Sequence, residues 1–258
     1  MTSDPQPDPR KGVFETLLVV GGEPAEESGH LARLGRSLAE LYGVELPAGT
    51  SELVRATAAG VELGRLRITA VPAEEAVAID LEARPIDPAV MFPEAGAALR
   101  CLDRPGGHGS HKWVDRRGME HPDAGPGQLI CDREELLEAG WANLFAVREE
   151  TLWTPPLDGR ILAGTARAAV LEIARTENLE TREQSLSATD LLGAEETFLT
   201  NSIRGIEPAT SLDGTPLPGC GPLSRRLADA LRRRWNLPDD PAAHKAAATA
   251  PKAAQPAR

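Results

Sequence analysis

Hydrophobic and polar positions change their period several times along the chain, and each change marks an element. G-V-F-E-T-L-L-V-V, residues 12–20, is mostly apolar and reads as a strand. The next stretch, H-L-A-R-L-G-R-S-L-A-E-L-Y, switches to helical spacing, with Leu31, Leu34, Leu38 and Leu41 on one stripe and Gly43 as its stop. R-L-R-I-T-A-V and A-V-A-I-D-L-E-A alternate with period two, which predicts two half-buried strands. These pieces predict a small α/β domain over residues 12–98. The segment A-L-R-C-L-D-R-P-G-G-H-G-S is dense in turn residues and predicts a connection over 99–110.

The second half continues the alternation. G-Q-L-I-C, N-L-F-A-V and T-L-W-T predict strands, the last two joined by an R-E-E turn, and A-R-A-A-V-L-E-I-A-R-T predicts a helix. T-R-E-Q-S-L-S is expected as a further strand, D-L-L-G-A-E-E-T-F-L-T-N-S as a helix running into a strand, and L-S-R-R-L-A-D-A-L-R-R-R-W as a final helix. A larger α/β domain over 111–237 follows. Residues 1–11 and 238–258 are rich in Pro with Ala or polar residues and lack a core-forming period, so both ends are expected to be disordered.

Composition narrows the class. With 258 residues and 41% hydrophobic content, the chain can fill a core without staples. Cys101, Cys131 and Cys220 are odd in number and far apart in sequence, which predicts reduced thiols and a cytoplasmic protein. No apolar signal region opens the chain and no run reaches the length of a membrane span. A formal net charge of −11 argues against nucleic acid or an anionic membrane as partner, and 3% aromatic residues leave little for base stacking. The basic run Arg232–Arg234 closes a helical pattern, where cations suit the helix dipole.

Candidate chemistry is sparse. Cys101, His108, His111 and His121 are ligand types for a metal, but glycines surround them and no second paired cluster exists, so no metal is expected. G-x-S-x-G, G-x-G-x-x-G and the P-loop pattern are absent, which sets aside hydrolase, dinucleotide and nucleoside-triphosphate chemistry. Lys112 is the only lysine between residue 12 and residue 244, in a chain that otherwise builds its cations from Arg, so it is the one lysine expected in the folded body. A primary amine condenses with carbonyls and guanidinium does not; a chance surface lysine satisfies the same pattern. Gly164 and Thr165 open a strong helix and offer N–H groups to an anion, as does the turn Thr200-Asn201-Ser202, although an ordinary capped helix and a plain turn read the same way. A phosphate-bearing aldehyde, of which pyridoxal phosphate is the usual one, would join Lys112 to these donors and require a carboxylate such as Glu138 at its ring nitrogen.

E-A-G-W-A-N-L-F-A-V followed by T-P-P-L-D-G-R-I-L-A-G-T-A-R resembles the signature E-x-x-x-x-N-[LV]-F…T-P-P…G-x-x-R of the class IV aminotransferases, the fold type IV pyridoxal-phosphate enzymes. F-L-T-N-S-I-R-G-I-E-P-A-T-S-L-D-G and F-E-T-L-L…H-L-A-R-L-G-R-S are similar to that family's downstream and N-terminal segments, so the resemblance covers roughly residues 12–236. It implies a two-domain α/β enzyme, a homodimer, with pyridoxal 5'-phosphate in the crevice between the domains. Matched position by position, it implies Lys112 as the lysine that carries the cofactor, Glu138 at the pyridine nitrogen, Arg33 at the phosphate, Thr165 and Ala166 as backbone donors and Ser202 as a hydroxyl donor. Arg116 and Asn143 are implied toward the substrate, Arg116 being equally compatible with a structural salt bridge. The family holds branched-chain and D-amino-acid transaminases and the lyases that form 4-aminobenzoate and pyruvate. K-W-V-D-R resembles the lyase form, and Tyr42 is the sole tyrosine, so none stands near Lys112. The family normally has a further strand before F-E-T; a compact variant is therefore expected, related to forms fused behind a chorismate-using synthase, and a non-catalytic partner domain of the same fold is the alternative.

Overall fold

The computed structural model describes residues 7–74, 76–117 and 125–237. In chain order the elements are β1 (Val13–Val20), β2 (Glu23–Pro24), α1 (Glu27–Tyr42), α2 (Thr50–Ala58), β3 (Leu63–Ala73), β4 (Ala76–Pro85), β5 (Ala97–Asp103), β6 (Gly127–Asp132) and β7 (Glu135–Ala139). They continue with β8 (Ala142–Arg148), β9 (Thr151–Thr154), α3 (Thr165–Thr176), β10 (Thr181–Glu183), β11 (Leu186–Ser187), α4 (Ala188–Leu192), β12 (Glu196–Asn201), β13 (Gly205–Leu212), β14 (Thr215–Pro216) and α5 (Pro222–Arg234). This is the α/β class expected, in two units.

The first unit is an antiparallel sheet in the order β2-β1-β3-β4, covered on one face by α1 and α2. Period two sorts its residues. Val13, Leu17 and Val19 of β1 face the helices beside Leu66 and Ile68 of β3, and Leu34 and Leu38 of α1 close over them. Burying each leucine contributes about 1.5–3 kcal/mol. Gly43 ends α1 in the left-handed conformation, the stop the sequence indicates. The helix α2 went unread in the sequence: its short T-S-E-L-V-R-A-T-A run shows only Thr50, Val54 and Ala58 to the core.

The second unit is a ten-stranded mixed sheet. Because β7 pairs with β8 as well as β6, the strands β8-β12-β13-β5-β6-β7 close into a ring, and β9, β10, β11 and β14 extend from it. Leu129, Leu144, Leu199 and Ala209 pack together within it, while Phe145 and Phe198 stack 5.1 Å apart in a second cluster that includes Val170 of α3 and Leu227 of α5.

Three sequence expectations change. Residues 97–103, expected to end the small domain at 98 and begin the connection at 99, form β5, paired in parallel with both β13 and β6; its short apolar run gains stability only from strands distant in sequence. Residues 7–11, expected to be disordered, carry the 3-10 turn Pro9–Lys11. Asp8 caps that turn, Tyr42 donates to the Pro9 carbonyl, and Lys11 pairs with Asp115 at 3.3 Å. Lys112 is thus joined by a second lysine in the described body. T-R-E-Q-S-L-S divides into β10 and β11 on different edges of the sheet. The three thiols are free, and Cys101 and Cys131 lie 2.7 Å apart across β5 and β6, because parallel pairing juxtaposes residues far apart in sequence. The expectations for residues 1–6 and 238–258 fall outside the described residues.

Candidate functional site

The cleft between the two units is built on three supports. The first is the segment after β5: Lys112 accepts the Phe14 N–H through its carbonyl at 2.8 Å, Val114 donates to Gly12, and Trp113 bridges to Val13. This ladder fixes the Lys112 backbone against β1, with its side chain beside the Phe14 ring at 5.1 Å. Upstream, Gly107 has φ 69° and its Cβ position would fall 2.1 Å from the Arg160 carbonyl, so only glycine lets the loop pass there.

The second support is the tight hairpin of β7 and β8. Glu138 and Asn143 are cross-strand partners on either side of Gly140-Trp141. Glu138 is buried and accepts the Leu162 N–H at 3.2 Å and the Asn143 amide at 3.3 Å, while Asn143 also donates to the Leu162 carbonyl at 2.9 Å. The Asn143 amide nitrogen, expected to face substrate, is thus engaged by the protein as a brace for Glu138. Arg116 donates to the Gly140 carbonyl and holds the same hairpin from the other side.

The third support is the start of α3. Gly164 is its N-cap, and a Cβ there would fall 1.9 Å from Asn143 Oδ1, which explains the glycine. First-turn N–H groups of a helix lack intrahelical partners and carry the positive end of its dipole. Thr165 and Ala166 supply these groups, and Thr200, Asn201 and Ser202 from the end of β12 line the same cavity with Arg33, Lys112 and Glu138. The structure therefore brings Lys112, Glu138, Arg33, Thr165, Ala166, Ser202, Arg116 and Asn143 to one cleft.

Sequence reasoning missed Glu15 and His30. Arg33 donates to Glu15 through Nε at 2.7 Å and Nη2 at 2.6 Å, and through Nη1 to the Ala163 carbonyl at 2.7 Å. His30 Nδ1 lies 2.7 Å from Glu15, and its Nε2 lies 3.0 Å from the Thr165 hydroxyl, which reaches Ser202 at 2.8 Å. The signal existed: Glu15 occupies the apolar register of β1, and His30 stands one turn before Arg33 on the buried stripe of α1.

Electrostatics divide these groups. Burial opposes the charge on Glu15, but Arg33 and His30 outweigh it and hold the carboxyl down to about 2. Burial lowers Lys112, aided by Arg33 and Arg116 and opposed by Glu15 and Glu138, leaving its ammonium at about 7. Burial raises Glu138 to about 7 against the pull of the Leu162 N–H, Arg116 and Lys112. A lysine that loses its proton near neutrality is suited to nucleophilic and base chemistry.

The metal candidates are dispersed: Cys101 meets Cys131, His108 meets Arg104, His111 lies 3.0 Å from Ser37, and His121 is outside the described residues. Among the described residues no group of three His, Cys, Asp or Glu side chains is placed to hold a metal ion.

Residues 123–212 match the family described as Amino-transferase class IV. The fold superposes on crystalline 4-amino-4-deoxychorismate lyase from Pseudomonas aeruginosa with a TM-score of 0.75 and 30% identity, covering 86% of this chain and 90% of that one. The chain belongs to the class IV aminotransferase family. Within it, D-alanine aminotransferase of Bacillus licheniformis is 24% identical over 86% of both chains. The branched-chain-amino-acid aminotransferase of Salmonella typhimurium is 36% identical over 98 residues, a match spanning 32% of that enzyme's length.

The cofactor of class IV aminotransferases is pyridoxal phosphate, and the cleft fits it. The Thr200 hydroxyl is buried at the cavity wall with no hydrogen-bond partner among the described residues, beside the free N–H groups of α3. An anion there would satisfy both. Arg33 has used one N–H on each of Nε, Nη1 and Nη2, so one remains on each Nη for that anion.

Proposed function

We propose that this chain is a pyridoxal-phosphate-dependent lyase that converts 4-amino-4-deoxychorismate to 4-aminobenzoate and pyruvate. The observation that carries this reading is the charge of the cleft's mouth. The face of the small sheet turned away from its helices presents Phe14 and Thr16 from β1, Arg65 and Arg67 from β3 and Arg84 from β4. With Lys112, Arg116, Arg204 and the carboxylate Asp87 these line one opening, in which Arg84 pairs with Glu82 and Arg204 with Glu207 while cations still outnumber carboxylates. Arg67 lies 3.9 Å over the Phe14 ring, and burial followed by its neighbour Arg65 lowers its pKa. Cations crowded in this way favour a substrate carrying more than one carboxylate. A branched aliphatic side chain gains nothing from them.

Bound in the cleft, the cofactor supplies an aldehyde that captures an amine and a protonated ring that withdraws electrons. Lys112 would carry it, with Glu138 at the ring nitrogen and Arg33, Thr165, Ala166 and Ser202 at the phosphate. Lys112 Nζ, freed when the substrate amine takes its place on the cofactor, would take the proton from the substrate carbon bearing nitrogen and return it to the departing three-carbon fragment; the burial that lowers its pKa to about 7 favours the neutral amine this needs. Glu138 is held in place by Leu162 and Asn143, so its carboxylate cannot swing toward Lys112. Arg116 and Arg67 orient the carboxylates. The domain limits at 12–98 and 111–237, with β5 reassigned to the second unit, the homodimer, the cytoplasmic location and an association with a chorismate-using synthase belong to the same proposal. Among the described residues no helix is long and apolar enough to cross a membrane.

Similarity over 86% of both chains to a D-alanine aminotransferase favours transamination as the second reading. Full-length protein loaded with pyridoxal phosphate and given aminodeoxychorismate without any keto acid separates the two. Equal formation of 4-aminobenzoate and pyruvate is expected. No product, together with keto-acid-dependent turnover of D-alanine or a branched-chain amino acid, would replace the lyase by the transaminase.

A further inference from the structure

The chemistry above gives no part to Glu15 and His30, which form one buried row with Thr165 and Ser202. Its contacts are 2.7, 3.0 and 2.8 Å, and they join β1, α1, α3 and the turn after β12. His30 is fully buried, Glu15 is 1% exposed, and Thr165 and Ser202 line the cleft at the other end of the row.

Counting hydrogens fixes the direction of every bond in the row. Glu15 is ionised and only accepts, so His30 Nδ1 must donate to it. In a neutral ring Nε2 then carries no hydrogen and must accept from Thr165. Thr165 has one hydroxyl hydrogen, so the 2.8 Å contact to Ser202 must be donated by Ser202. Both hydroxyl protons point inward, and Ser202 turns lone pairs toward the cleft. That polarity repels an anion. A proton on His30 Nε2 reverses the row: His30 donates to Thr165, Thr165 to Ser202, and Ser202 to the cleft.

We propose that His30 takes up one proton from solvent when a phosphate dianion binds at the start of α3, and that the Thr165 and Ser202 hydroxyls transmit this change so that Ser202 donates to the phosphate. The inference rests on the cofactor reading above and makes His30 a positioning residue for the anion. The charged groups facing His30 are Glu15 from β1, Arg33 from its own helix and Lys112 from the segment after β5, with uncharged Thr165 opposite. Without an anion, burial, Arg33 and Lys112 favour the neutral ring against the pull of Glu15. A dianion at the end of the row offsets the two cations and tips the balance. Only N–H and O–H bonds change.

The test uses the full chain and pyridoxine 5'-phosphate, which lacks the aldehyde and leaves Lys112 unmodified. Calorimetry between pH 7 and 8 in buffers of different ionisation enthalpy counts protons taken up by wild type, His30→Gln and Thr165→Val. Wild type is expected to take up close to one proton more per ligand than either variant. Its affinity should fall by up to about tenfold more per pH unit than theirs. The nitrogen resonances of His30 in labelled wild-type protein should move to those of a doubly protonated ring on binding, a signature that holds even if a variant fails to fold. Equal uptake in wild type and His30→Gln, or a ring that stays singly protonated in the complex, would overturn the proposal. If folded wild type binds no pyridoxine 5'-phosphate but binds inorganic phosphate with His30-dependent proton uptake, the row is upheld and the cofactor reading fails. If it binds neither, both fail.

Discussion

Two buried carboxylates, one in each unit, show how similar burial leads to opposite chemistry. Glu15 in the small sheet is 1% exposed and Glu138 in the large sheet 4% exposed, yet one carboxyl is held down to about 2 and the other pushed up to about 7. The difference is the partners. Glu15 receives a bidentate guanidinium and an imidazole N–H, whereas Glu138 receives one backbone N–H and one amide, neither charged. Desolvation is common to both; only Glu15 has a cation in contact to outweigh it. One unit has spent its carboxylate on holding Arg33 and His30 in place. The other keeps a carboxylate poised near neutrality beside a lysine in the same state.

The strongest test of this division is Lys112→Ala, which removes the reactive amine and leaves both carboxylates. Turnover should fall by about 10³-fold or more, and the visible absorption of cofactor-loaded protein should disappear. Activity at the wild-type level would refute the site. Next in size, Glu15→Gln leaves the Arg33 charge buried without its counter-ion and should cost about 3–5 kcal/mol in urea unfolding. A cost below about 1 kcal/mol would mean that the pair holds nothing together.

Glu138→Gln should do the reverse, keeping the fold and lowering turnover by about 10²-fold. Its stability effect also has the opposite pH sign. The folded pKa of Glu15 lies below its ordinary value, so its contribution is present above about 4.5 and is lost as pH falls toward about 2. That of Glu138 lies above its ordinary value, so its contribution is present at acid pH and is lost as pH rises from about 4.5 through about 7. Unfolding of Glu138→Gln measured from pH 4 to pH 8 should therefore gain on wild type as pH rises; parallel curves would count against the contrast. Arg67→Ala should raise KM for a dicarboxylate substrate by about tenfold with kcat little changed, and an unchanged KM would remove the cationic mouth from the argument.

The smallest effect concerns Lys112 alone. Its folded pKa is depressed to about 7, so the rate at which cofactor-free protein captures pyridoxal phosphate should rise by about tenfold per pH unit up to about 7 and then level off. A break near 10 would show a lysine that burial does not reach.

Much of this was legible in the chain. The strand β1, the stripe of α1 with its Gly43 stop, the alternation of β3 and β4 and the strong helix α3 follow from local period and capping. Lys112, Glu138 and Arg33 were singled out from an isolated lysine and the resemblance to a family. Less legible were β5, whose partners β13 and β6 lie far along the chain, and β7, whose E-L-L-E-A run has no clean alternation and is set by its pairing with β6 and β8. Glu15 and His30 were not singled out, because the partners that allow each to be buried, one another and Arg33, come together only in the fold.

By itself, then, the sequence determined most of the helices and strands, that a helix starts at Gly164-Thr165 with first-turn N–H groups, and that one lysine is set apart from the chain's ends, because each depends on residues within a few positions of one another. The tertiary structure alone decided that β7 closes the ring onto β8 and places Glu138 against Leu162, that the Arg65, Arg67 and Arg84 face opens onto Lys112, and that Glu15 reaches Ser202 through His30 and Thr165. Those relations set the burial and charge around each group. Burial and charge separate a carboxylate at about 2 from one at about 7, and they are properties of space rather than of order along the chain.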